Sequence, residues 1–79
     1  MDCDAIREEV IKPKLIDMLG KPIAAEIFQA AGFATVSARN EREQLQIFVD
    51  NACSDPRFIG MWGTSQAEKQ KMEWLDLLS

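Results

Sequence analysis

Apolar residues return at helical spacing along most of this chain, and most clearly between Asn40 and Cys53. Leu45, Phe48, Val49 and Ala52 fall at i, i+3, i+4 and i+7, so one helix face carries all four. Glu41, Arg42, Gln46 and Asp50 fall elsewhere and can stay wet. Ile47 lies off the stripe and widens it, which predicts packing on two sides. Asn40 followed by Glu43 is the N-x-x-E form of a capping box. The pattern predicts a central helix over 41–53, with shorter elements gathered around it.

Upstream, Ile6, Val10 and Ile11 mark a first helix capped by Asp2 or Asp4. Pro13 removes a backbone donor and disfavours helix at Lys12. A break near Ile11, with a second helix starting at Pro13, is favoured over a kink. Gly20 is a natural stop, and Pro22 suits the first turn of the next helix. There Ile23, Ile27 and Ala31 share a face, with Ala24 and Phe28 beside them. Gly32 is expected to end this helix, with Phe33 folding back onto it. Residues 34–39 fit a loop, or a short strand paired with 58–62; the loop is the simpler reading.

Downstream, Asp55 and Pro56 open a short helical piece limited by Gly60 and Gly63. Ser65 and Glu68 form a second capping box. Ala67, Lys71, Trp74, Leu75 and Leu78 form the inward face of the last helix, helped by Met72. No internal repeat, low-complexity tract or linker is evident. The chain therefore reads as all-α, a single domain over 1–79, with four to five short helices packed around the central one.

Composition adds bounds. Seventy-nine residues make one domain at most, with 47% apolar and 28% charged residues, a globular balance. A core this small gains from a staple or a partner chain. The net charge of −4 disfavours a free-standing nucleic-acid binder, because affinity for phosphate rests on Lys and Arg. No apolar run is long enough to span a membrane, and the acidic start MDCDAIREE is unlike a secretory signal. The expected compartment is the cytoplasm, with Cys3 and Cys53 as reduced packing thiols and a disulfide between them the lesser alternative.

Candidate chemistry is thin. The chain has no histidine, the commonest general base near neutral pH. Cys3 lies between Asp2 and Asp4, unlike the electropositive settings that activate thiols. Cys53 ends an apolar stripe, the place of an inert core thiol. No nucleotide-binding glycine loop and no G-x-S-x-G elbow occurs. Two distant cysteines cannot hold zinc, and the acidic residues do not match an EF-hand loop. The expectation is a non-enzyme without metal or cofactor.

Ala30–Asn40 (AAGFATVSARN) resembles the turn and recognition-helix start of helix-turn-helix repressors. Those carry alanine, then A-G-V-S, two residues, then T-V-S-R. Here Ala31-Gly32-Phe33 and Thr35-Val36-Ser37 are present, with two fewer residues between the glycine and T-V-S. The resemblance implies DNA contact by Thr35, Ser37, Arg39 and Arg42. The same A-G-F step is similar to the M-G-F turn of ubiquitin-associated domains over two residues, too few to carry function.

A positive local excess lies in Arg7, Lys12, Lys14 and Lys21; a solvated face is the simpler reading, and an acidic partner or phosphate the alternative. The stretch Arg57-Phe58-Ile59-Gly60-Met61-Trp62-Gly63 places two large aromatics, an isoleucine and a methionine between glycines. Phe58 and Trp62, four apart, fit a plug at the base of the bundle that leaves only Ile59 and Met61 showing; the other reading is a partner-binding patch, since Trp, Met and Arg are enriched at protein interfaces. The sequence thus predicts a small regulatory or adaptor protein that binds a protein partner, or itself, through Arg57, Phe58, Ile59, Met61 and Trp62. The alternative is a helix-turn-helix-like DNA-binding protein using 31–42.

Overall fold

A computed structural model describes residues 2–78. They form five helices packed against each other, and no strand occurs among the described residues. We name them α1 (residues 3–19), α2 (Lys21–Phe33), α3 (Glu41–Cys53), α4 (Pro56–Trp62) and α5 (Thr64–Asp76). The central helix is α3, with the bounds that its stripe predicts. The Asn40 side chain accepts from the Glu43 N–H at 2.8 Å. The Glu43 carboxylate turns to Arg39 instead of completing the box. Leu45, Phe48, Val49, Ala52 and Cys53 are all buried. One flank of α3 packs on α2 and another on α5. Phe48 meets Phe28 of α2 edge to face, with ring centroids 4.9 Å apart.

The chain does not break at Pro13. After Cys3–Ala5 the helix widens to a π register over Ile6–Ile11, then resumes as α over Lys12–Leu19. In an α register Pro13 would leave the Glu9 carbonyl without its donor and crowd it. The wider turn shifts the hydrogen bonds ahead of the ring: the Lys12 N–H already reaches back to the Arg7 carbonyl, five residues away. It also resets the buried face. Ile6 and Ile11, five apart, are both buried, while Val10 is half-buried. Asp2 caps this helix by accepting from the Ala5 N–H at 2.8 Å.

One residue joins α1 to α2. Gly20 has φ 88° and ψ 155°, a conformation open in practice to glycine alone. Its N–H closes α1 on the Ile16 carbonyl at 2.9 Å, and its own carbonyl accepts from the Ala24 N–H at 3.0 Å. Gly63 joins α4 to α5 in the same way, with φ 86° and ψ 159°. Its N–H bonds the Ile59 carbonyl at 2.7 Å, and the Ala67 N–H bonds its carbonyl at 3.1 Å.

The two joints expose a repeat that the sequence reading misses. Pro13, Ile16, Met18, Gly20 and Ala24 recur in register as Pro56, Ile59, Met61, Gly63 and Ala67. Lys14 matches Arg57, and Leu15 matches Phe58. Helices α2 and α5 occupy matching positions, with 13 residues each. Burial repeats too: Leu15 and Phe58, Ala24 and Ala67, Ile27 and Gln70, Ala31 and Trp74 are all buried. Residues 13–33 and 56–76 thus share one helix–glycine–helix pattern, with α3 between them.

Three other expectations fail locally. Helix α2 runs through Gly32, which lacks a positive φ, to Phe33. It ends in turns over residues 34–37, where the Thr35 hydroxyl donates to the Gly32 carbonyl at 2.7 Å. Phe33 is therefore carried outward and does not fold back. The Ser65–Glu68 box does not form, because the Gly63 joint starts α5 at Thr64, with no side-chain cap. Met72 points out, and the inward place is taken by Gln70, whose amide donates to Glu73 at 3.3 Å.

Candidate functional site

Helix α4 carries the stretch singled out for partner binding, and its seven residues sort that stretch by face. Asp55 caps the helix by accepting from the Arg57 N–H at 2.9 Å. Phe58 turns fully inward, at 0% exposure, and so is core and not contact surface. Ile59 is half-buried against the same core. Met61 and Trp62 face out, at 55% and 45% exposure. Trp62 is also anchored. Its indole N–H donates to the Met18 carbonyl at 3.0 Å, which ties the end of α4 to the end of α1.

Arg57 does not extend freely into solvent. Its guanidinium forks onto the Asp55 carboxylate at 2.9 and 2.8 Å and reaches Glu26 of α2 at 2.9 Å. The Arg57 hydrogen bonds hold the Asp55 carboxyl below its usual range, outweighing partial burial.

Beside Arg57, the end of α2 and the turn after it present an apolar face outside the 57–62 stretch. Phe33 and Val36 are 70% and 82% exposed. A shallow concavity of about 340 Å³, lined by Glu26, Gln29, Ala30, Phe33 and Arg57, joins this face to the start of α4. The available signal was the position of Val36, in a turn-forming segment with no inward partner.

The residues implied by the repressor resemblance lie mostly ahead of a helix. Thr35 and Ser37 sit in the turns before α3, and the Thr35 hydroxyl is engaged by Gly32. Arg39 pairs with Glu43 at 3.5 Å. Arg42 alone lies on α3, exposed in its first turn. The structure does not bring these four together on one helix.

Both cysteines are free thiols. Burial pushes the Cys53 thiol up to about 12, with Lys71 pulling it down and Asp50 adding to the rise. The folded state thus holds this proton more tightly than the unfolded chain, whose thiol titrates near 9. This contribution to stability is complete below pH about 9 and is lost as pH rises toward about 12. Urea unfolding across this window should show a decline approaching ~1 kcal/mol per pH unit that Cys53→Ala lacks. Identical slopes for the two proteins would show that the thiol titrates normally when folded.

Among the described residues, no group of three or more His, Cys, Asp and Glu is placed to hold a metal ion. No described helix is long and apolar enough to cross a membrane. Comparison of the chain with protein-family models, curated proteins and solved structures finds no match.

Proposed function

We propose that this chain is a small protein-binding adaptor, acting in the cytoplasm without catalysis of its own. The contact surface runs from Met61 and Trp62 on α4, past Arg57, to Phe33 and Val36 at the end of α2. The observation that carries this reading is the exposure of Met61 and Trp62 on α4, of Phe33 at the end of α2 and of Val36 in the turn after it, with Phe33 and Arg57 lining one concavity between the two helices. Patches of this kind mark association sites, and Trp, Met and Arg are the residue types that dominate them. Neutralised by Asp55 and Glu26, Arg57 offers a flat guanidinium surface at low desolvation cost.

The test is affinity capture from native lysate by the full chain and by a Phe33→Asp/Met61→Asp variant, read by mass spectrometry. Both side chains are largely exposed, so the helical circular dichroism should not change. Proteins held by the wild type should be depleted at least tenfold with the variant. Equal recovery from both would remove this surface as the interface. Sedimentation of the two proteins reads self-association through the same face.

A further inference from the structure

A second surface, which adjoins the one above at Gln29, follows from the repeat. Between α1 and α2 lies a groove of about 310 Å³ with an apolar floor of Ile16, Ala24, Ala25 and Phe28. Lys12 and Lys21 stand on its rim. The Lys12 ammonium lies over the Phe28 ring, 5.5 Å from the centroid, and its carboxylate contact with Glu8 is loose at 3.6 Å. Lys21 has no ion pair among the described residues. Lys12 lies two helical turns before the Gly20 joint and Lys21 directly after it. The two cations therefore bracket the groove, roughly 12 Å apart along the axis.

The other helix–glycine–helix unit has a pocket at the corresponding place between α4 and α5, closed on one side by Cys53 and Ser54 at the end of α3. There Ile59, Thr64 and Ala67 stand where Ile16, Lys21 and Ala24 stand in the first. At the positions of Ala25 and Phe28 it has Glu68 and Lys71, and Lys71 is paired with Asp50 of α3. This groove is only about 120 Å³. One fold element thus appears twice, once filled by the chain's own charges and once left open with an apolar floor and a cation at each end.

We propose that the α1–α2 groove binds a peptide segment of a partner protein, with large apolar side chains at its centre and carboxylates on both sides. The floor is the size of a small ligand pocket and takes the apolar centre. The paired rim selects two separated negative charges. A fatty acid, with one carboxylate, would leave one end of the groove unmatched. On a chain of net charge −4, these two lysines supply the local attraction for carboxylates that the rest of the surface lacks.

A random dodecapeptide display library is panned on the full chain, with Ala25→Glu as the counter-target. This variant installs the residue of the closed groove at an exposed helical site. Selected sequences should carry Leu, Ile, Phe or Trp between Asp or Glu residues. By fluorescence anisotropy, a labelled representative should bind Ala25→Glu at least tenfold more weakly, and Lys12→Ala and Lys21→Ala severalfold more weakly. Glu68→Ala and Phe33→Asp/Met61→Asp should bind like the wild type, which keeps this result separate from the adaptor surface. Should Ala25→Glu lose its helical signal, Lys12→Glu/Lys21→Glu takes its place as counter-target. Selected peptides indifferent to both lysines, or none preferring the wild type, would overturn the proposal. Saturable laurate binding without peptide selection would give the groove to amphiphiles. Self-association abolished by Lys21→Glu would give it to a second copy. Either result also refutes a peptide site.

Discussion

Phe58→Ala should destabilise the domain by about 3–5 kcal/mol, while Met61→Ala should change it by less than about 0.5 kcal/mol. The two residues are one turn apart on the same short helix. Phe58 has no exposure and plugs the core where Leu15 does in the other unit, while Met61 stands in solvent. A domain of this size holds roughly 4–12 kcal/mol of stability in all. Phe58→Ala should therefore remove at least about a quarter of that stability and lower the midpoint of urea unfolding in proportion. Circular dichroism against urea reads both variants. A loss under about 1 kcal/mol for Phe58→Ala would mean that α4 is not docked on the bundle, and the adaptor surface would lose its support. An equal and large loss for Met61→Ala would place that residue in the core and remove it from the surface.

Legibility varied with how many local signals agreed. In α3 the stripe, the Asn40 cap and the acidic first turn all point one way, and the buried set is the one the stripe predicts. At Pro13 a single local rule predicted an ending. The ring demands only that the preceding carbonyls be moved, and a π turn does that without ending the helix. At the glycines the letter itself was ambiguous. Gly20 and Gly63 take a backbone that other residues avoid, whereas Gly32 and Gly60 are ordinary helical positions. A helix stop at Gly32 would turn Phe33 inward. The helix continues, so Phe33 comes out on the exposed face, and that half of the candidate surface was missed. The repeat is faint in the sequence because its five identical pairs are scattered among partners that differ in bulk and polarity, such as Ala31 and Trp74 or Ile27 and Gln70. Shared burial reveals it where residue identity does not. The α1–α2 groove was half legible. The lysine excess was visible in the sequence, but which apolar residues it would flank depended on the Gly20 joint.

Those joints set the second large effect, and its sign depends on which glycine is replaced. Gly20→Ala and Gly63→Ala should each destabilise by about 1–3 kcal/mol. No atom lies within 4 Å of an added Cβ at either site, so the cost is conformational and comes from the positive φ alone. Gly32→Ala and Gly60→Ala meet equally open space at helical dihedrals, and should stabilise by up to about 1 kcal/mol. Urea midpoints of the four variants read this reversal directly. The two joints are also mechanically linked, since Trp62, next to Gly63, donates its indole N–H to Met18, two residues before Gly20. Distorting either joint moves one end of that bond. The double variant should therefore lose less than the two single losses together, by about 1 kcal/mol, the net worth of a hydrogen bond that can break only once. In a Trp62→Phe background, where the bond is already gone, the losses should add. Simple additivity with Trp62 present would mean that the two units fold as independent hinges and that the indole contact is incidental to the domain.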